Sequence, residues 1–410
     1  MPKNLLKVVL FNSALLGLLL LVLDTLAYFA LPTEYSAALE EYRRAPPPRV
    51  TGGGQFLHDY WVAHPERGFD IGKNRRAVHW VGGVTFDVWS NSMGCFDVEH
   101  AAITDYVYFA GDSFTWGFSP FESKFGTIVE RVSGTTVLKC GVAHTGQIHQ
   151  YEKLLDITEA IGKPPRALFV FFYYNDIAND YAHPHSTVID GWQVDTVSLG
   201  PGDELIRPTR DELERRLHSR IAEVDAELNN ELSLADHIKL LLRRYSLSAN
   251  VANFLWDNFR DSLSAISSDD DTVDGSGEAR PRSFYFLPQE HDDRVWYTNN
   301  DYASANKQAI REIKRFCDTN GTRLIFALIP PATAATDLSW HSEVRQFLDE
   351  QSIEYVDLAS RFNQKQLSSR ELYWREDVHL NPSGNAAVAK ILLDDFADIF
   401  TSTDTHSEKD

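Results

Sequence analysis

Residues 106–117 read YVYFAGDSFTWG, and this stretch decides the fold. The apolar run Tyr106–Ala110 predicts a buried strand. It breaks off at Gly111-Asp112-Ser113, and helix-like sequence resumes after Gly117. A glycine lets the chain turn sharply at a strand's carboxyl end. Ser113 then sits at the strand tip, where parallel α/β sheets collect their ligands. The plainer reading is a polar βα turn with a serine as helix N-cap. The GxSxG elbow of α/β-hydrolases is excluded, because Thr115 stands where its second glycine would be.

Outward from this stretch, short apolar runs alternate with amphipathic ones. Strands are predicted at 106–110, 135–140, 167–173, 323–329 and 354–358, each bounded by Gly, Pro or polar residues. Helices are predicted at 125–132, 147–161, 302–319, 343–350 and 383–400. Such alternation predicts an α/β fold: a parallel, flavodoxin-like sheet in a three-layer α/β/α sandwich spanning 106–400.

The alternation lapses at about 183–300, read as an insertion. Thr209–Ile266 has helical periodicity, with Leu213, Leu217, Ile221, Val224 and Leu228 on one stripe. An acidic segment follows at 267–278 and reads as disordered. Its run Asp269–Asp271 lacks the spacing of an EF-hand, so a solvated loop is preferred over a calcium site.

Upstream, 58–105 is rich in aromatics and β-like runs such as Ala77–Trp89, and is read as a lead-in packed on the main domain. Residues 32–57 form a linker, extended at Pro46–Pro48 and flexible at Gly52–Gly54. Residues 1–31 read as a transmembrane signal-anchor. Lys3 and Lys7 precede an apolar run, and its length approaches the roughly 20 residues a helix needs to span a bilayer. A cleaved signal peptide is the rival, but no A-x-A site is present. The leading lysines predict a cytoplasmic amino end and an extracytoplasmic catalytic domain, at the periplasm or cell surface. Arg43, Arg44 and Arg49 oppose that orientation. Residues 401–410 are a tail.

The chain has 410 residues, 43% of them hydrophobic, enough for a substantial core. A net charge of −20 argues against nucleic acid as a partner, since phosphate binding needs a basic face. The three cysteines, Cys95, Cys140 and Cys317, show no CxxC spacing and define neither a disulfide framework nor a zinc site. Each is read as a small buried side chain.

Ester cleavage by a serine needs a base and donors for the oxyanion. His379 in WREDVHLNPSGN (374–385) is the candidate base, hanging before a helix capped by Asn381 with Pro382 at its first position. Asp377 is its orienting partner, with Glu376 in reserve. Asn175, directly after a predicted strand, is an oxyanion donor. Asp176 braces its loop and Asp112 supports the serine turn. The plainer reading of Asn175-Asp176 is an Asx turn. His144, His149, His183 and His185 have no acidic ligand at helical spacing, so no metal site is assigned. The chemistry calls for no cofactor.

GDSFTWG resembles the first sequence block of the SGNH (GDSL-type) esterases, and the Asp377-Val378-His379 closing block matches the shorter form found in many envelope relatives. HPERGFDIGKN followed by SNSMGCFD is similar to the lead-in of membrane-anchored members, with Cys95 and Phe96 where those have phenylalanine and arginine. FVFFYYNDIAND matches the third block, with Tyr173 at a glycine position, which implies an aromatic wall. The second block should supply a backbone N–H. Gly141 and Gly146 are available, the family glycine falls near His144, and Gly146 is chosen because it opens a helix. The resemblance covers roughly 58–182 and 301–400. It implies a serine esterase that cleaves or transfers an acyl group, an O-acetyl, on an envelope carbohydrate. The alternative is a catalytically retired scaffold that binds or assembles polysaccharide. The insertion is a candidate dock for a membrane acyl-donor protein. All of this requires the Ser113 hydroxyl and the His379 ring to meet at one sheet edge.

Overall fold

In the computed structural model, the described residues are 57–81, 84–100, 102–199, 205–218, 282–283, 300–332, 339–367, 369–374 and 377–400, with Val22. They fall in one compact unit made of 53–218 and 281–410, Val22 aside. The anchor at 1–31 (Val22 aside), the linker at 32–56, Glu376, the acidic run and most of the insertion lie outside the described residues. Among the described residues no helix is long and apolar enough to cross a membrane.

The lead-in folds as two antiparallel hairpins, β1 (Trp61–His64) with β2 (Gly68–Ile71), and β3 (Arg76–Val81) with β4 (Val84–Trp89). The main sheet begins with β5 (Val107–Gly111), followed by the single turn α1 (Ser113–Trp116) and α2 (Phe125–Ser133). Next come β6 (Val137–Lys139), α3 (Gln147–Ile161), β7 (Ala167–Phe172) and α4 (Asn175–Tyr181). The first part of the predicted helical insertion is instead a hairpin, β8 (Ser186–Ile189) with β9 (Trp192–Asp195). Its TVIDGWQV stretch carries Asp190-Gly191, the short-range signal of a two-residue hairpin turn. A small antiparallel sheet joins β10 (Ser198–Leu199) to both β11 (Leu205–Ile206) and β12 (Arg282–Ser283). The chain then continues through α5 (Asn300–Asn320), β13 (Arg323–Leu328), α6 (Ser339–Glu350), β14 (Glu354–Asp357), α7 (Leu358–Gln364), α8 (Ser369–Leu372), α9 (Pro382–Asp395) and α10 (Ala397–Phe400). The single predicted helix at 383–400 is thus two, broken at Phe396.

The five-stranded sheet runs β14-β13-β7-β5-β6, every pairing parallel. Counted along the chain this is the order 2-1-3-4-5 of flavodoxin-like folds. Alternate residues of β5 serve opposite cores. Val107 and Phe109 pack with Phe125 and Val129 of α2 and with Val388 and Leu392 of α9. Tyr108 and Ala110 pack with Leu154 and Ile157 of α3 and with Ile310 and Ile313 of α5. A strand covered on both faces reads as a continuous apolar run, which is why YVYFA carries no polar alternation.

The lead-in is fastened to this unit by buried charge and a covalent link. The Asp70 carboxylate accepts from Arg67 at 2.7 Å and pairs with Lys153 of α3, and Arg67 also reaches Asp156 at 2.6 Å. Cys95 and Cys140 form a disulfide, with Cα atoms 4.6 Å apart. The expectation of small unpaired cysteines is corrected for these two. Their partners are 45 positions apart and meet only because 95 lies against the end of β6, a proximity no spacing rule reports. Cys317 stays free and buried.

Candidate active site

Gly111 ends β5 with φ +153°, and a Cβ there would lie 2.1 Å from the Thr115 hydroxyl, so only glycine fits the turn. Asp112 caps α1 by accepting the Phe114 N–H at 3.0 Å. The cap fixes Ser113 as the first residue of α1, at the carboxyl edge of the sheet. Its Oγ lies 2.7 Å from His379 Nε2, and 3.3 Å from Asp112 Oδ2.

His379 arrives from the opposite end of the chain. Asn381 caps α9 by accepting the Ser383 and Gly384 N–H groups at 2.8 and 3.0 Å, with Pro382 in the first turn. The 377–380 loop is pinned by a bridge between Tyr373 and Leu380 and by the Trp374 N–H bonding the His379 carbonyl at 2.9 Å. Asp377 Oδ1 accepts the His379 backbone N–H at 2.9 Å and also bonds its Nδ1. Burial alone would raise the Asp377 carboxyl. The His379 charge and hydrogen bonds outweigh it and hold the group below the usual carboxylate range. An ionised Asp377 accepts a hydrogen bond from Nδ1–H, which keeps the proton on that nitrogen and leaves the Nε2 lone pair facing the Ser113 hydroxyl.

The imidazole is clamped between rings. Phe118 stacks on it at 3.7 Å and 8° between planes, and Phe114 lies 4.9 Å away on a tilt. Ser113 and His379 are each only 7% exposed, so the paired atoms are largely shielded from solvent. Three contributors went unread in the sequence. Phe118 is one. Asn385 is another: its amide donates to Ser119 Oγ at 3.2 Å and to the Leu380 carbonyl at 3.1 Å, while its oxygen accepts the Phe125 N–H at 3.0 Å. It stitches the serine segment to the histidine loop. The third, His79 of β3, is 1% exposed, lies 4.7 Å from Phe118, and adds to the field lowering Asp377. None of the three carries a motif signature; each is visible only once the strands are placed.

Asn175 opens α4 beside the site, and its side chain bonds the Asp112 carboxylate. Burial raises the Asp112 carboxyl, opposed by that bond, by the Phe114 N–H and by the His379 charge. Asp176 accepts Gln147 Nε2 at 2.7 Å and the Tyr173 N–H at 3.2 Å. Burial and the neighbouring Asp112 charge push its carboxyl well up. Asp180 caps α3 by accepting the Gln147 and Ile148 N–H groups at 3.0 and 2.9 Å, and burial pushes it up to about 7. Asn306 of α5 donates to Asp180 at 2.8 Å and bonds Gln147 as well.

Gly146 packs into this carboxylate layer; a Cβ on it would lie 2.2 Å from Asp180 Oδ1. The residue of the 141–146 turn beside the triad is His144, at φ +63°, the left-handed conformation that favours glycine. Burial and the nearby His379 charge push its ring down to about 4, so it is neutral. Gly141 lies under α1, where a Cβ would meet the Trp116 N at 2.4 Å. Tyr173 packs on Phe114 at 4.5 Å, an aromatic wall one ring from His379. Phe96 is buried with the Lys124 ammonium 4.2 Å over its ring and bonded to its carbonyl at 2.8 Å.

Among the described residues one cluster, Asp97, His100 and Glu130, has a donor set suited to a cation. The Lys139 ammonium already bridges it, 2.8 Å from Asp97 and 2.6 Å from Glu130, so it is an ion-pair network. His149 and His185 flank Phe69 as buried rings, and burial pushes both imidazoles down. No known family model matches the chain, and no curated protein matches it.

Proposed function

We propose that this chain is a serine esterase of the SGNH type. The observation that carries the reading is the Ser113 Oγ to His379 Nε2 approach of 2.7 Å, with Asp377 on the far nitrogen, at the carboxyl edge of a parallel sheet. His379 takes the Ser113 proton as Oγ attacks an ester carbonyl. The oxyanion is held by the Ser113 N–H, the Asn175 amide and a backbone N–H from the 144–146 turn. His379 then protonates the leaving alcohol, and an acyl-Ser113 ester remains. Water activated by His379 releases the acid, or a second hydroxyl takes the acyl group, which makes the same intermediate serve hydrolysis and transfer. The low exposure of Ser113 and His379 favours a small acyl group, and an O-acetylated envelope carbohydrate is the proposed substrate. An amino-terminal anchor with the catalytic unit outside the cytoplasm accords with the Cys95–Cys140 disulfide, since such bonds persist in oxidising compartments.

The test is covalent. A fluorophosphonate probe should label Ser113, and p-nitrophenyl acetate should be turned over with loss in Ser113→Ala. An unlabelled Ser113 together with no turnover refutes an esterase and leaves the retired, carbohydrate-binding scaffold.

A further inference from the structure

A second cleft, of about 630 Å³, opens between the β1–β2 hairpin, β8 and the segment 205–213. That volume falls in the range of small-molecule sites. Its lining includes Arg207, Arg210 and His64, the hydroxyls of Ser186, Thr187 and Thr196, and otherwise glycine, proline and aliphatic side chains. Among the described residues no carboxylate lines it, in a chain that carries 59 Asp and Glu against 39 Lys and Arg.

The cations there differ in how they are held. Arg207 donates to three main-chain carbonyls, Pro184 at 2.8 Å, Ala182 at 3.0 Å and His183 at 3.2 Å. Carbonyl dipoles fix the guanidinium, and among the described residues no carboxylate pairs with it. Arg210 pairs with Glu214 at 2.7 Å, at 72% and 38% side-chain exposure. Such a surface pair is worth about 0–1 kcal/mol and yields readily to a competing anion. Asp195 accepts the Ser186 hydroxyl at 2.9 Å, and desolvation pushes its carboxyl up to about 6. The floor is rigid: Gly68 of β2 packs so closely on β8 that a Cβ would lie 2.1 Å from the Ser186 carbonyl.

We infer that this cleft binds an anionic carbohydrate, a short run of sugar rings bearing carboxylate or phosphate. The arginines meet the anion, bidentately where the geometry allows. The hydroxyls meet the sugar hydroxyls, and the proline and aliphatic walls cover the C–H faces. The cleft shares no lining residue with the Ser113 site, so the inference stands apart from the esterase reading.

The experiment is calorimetric titration of the full chain, in mild detergent, with oligogalacturonate (carboxylate), phosphomannan fragments (phosphate) and maltohexaose (neutral). One anionic probe should bind, and which one it is identifies the anion. Affinity should fall several-fold between 50 and 300 mM salt as the charges are screened. Arg210→Glu should weaken binding at least 5-fold, and Ser113→Ala should leave it unchanged. Arg207→Gln should weaken it further, but Arg210→Glu carries the test should Arg207→Gln fail to fold. Absence of binding by both anionic probes, equal binding of maltohexaose, or an unaltered Arg210→Glu overturns the proposal.

Discussion

The Cys95–Cys140 bond offers a prediction whose size follows from topology. The two residues are 45 positions apart, and closing a loop of that length removes chain entropy from the unfolded state worth about 4 kcal/mol at 25 °C. Engineered and reduced systems often give less, so about 2–4 kcal/mol is expected, a 30- to 1000-fold change in the folded-to-unfolded ratio. Two measurements check it. First, thiol titration in denaturant should count one free thiol, Cys317, before reduction and three after. Second, urea unfolding should show the reduced protein and a Cys95→Ala/Cys140→Ala variant destabilised by similar amounts. The variant must be compared with the reduced wild type, because alanine also leaves a small void at two fully packed positions. Three free thiols in the unreduced protein would refute the pairing. A reduced protein as stable as the oxidised one would refute the entropic reasoning, even with the bond present.

Other outcomes follow from the site. Ser113→Ala should abolish p-nitrophenyl acetate turnover, and Asp377→Asn should lower kcat by on the order of 10⁴-fold with little change in fold, because the amide selects the wrong His379 tautomer. Phe118→Leu removes the ring stacked on His379; aromatic pairing of about 0.5–1.5 kcal/mol predicts a roughly 2- to 12-fold loss in kcat and in fluorophosphonate labelling rate. Asp180 has its folded pKa raised to about 7, so the native state holds its proton longer than the unfolded chain, and its contribution to stability is lost as pH rises from about 4 through about 7. The buried histidines, lowered from 6.5 to about 4 at His144 and His183, act in the opposite sense across most of that window. The net slope is therefore uninformative, and the difference between wild type and Asp180→Asn is the quantity to read: thermal melts from pH 4 to 7 should show the variant gaining on wild type as pH rises. A constant difference would remove the titration from the account.

The sequence made the sheet legible because its strands are buried on both faces and its helices are not. The predicted strand at 106–110 lies one residue from β5, and the helix predicted at 147–161 is α3 to the residue. The Ser113, Asp377 and His379 placement was readable for the same reason, since residues at the carboxyl ends of parallel strands converge whatever their separation. Gly146 shows the limit. It is legible as the start of a helix, and it does open α3, whereas the left-handed residue of the same turn is His144, where no glycine marks the conformation. Phe118, Asn385 and His79 were illegible because packing partners recruited across 250 residues leave no local pattern. The hairpin at 186–195 was overlooked within a segment judged by its longest helical stripe.

The pairing of β10 with β12 places Ser198 opposite Ser283, and Leu199 opposite Arg282. Adjacent strands lie about 4.8 Å apart, so two stretches of chain far separated in sequence are held side by side. The small three-stranded sheet thus closes a long excursion of the chain at its base. Lengthening it is thermodynamically cheap, because closure entropy grows only logarithmically with the size of the excursion. The same geometry invites transplantation: a foreign module whose own termini sit close together could be grafted there without asking the sheet to move.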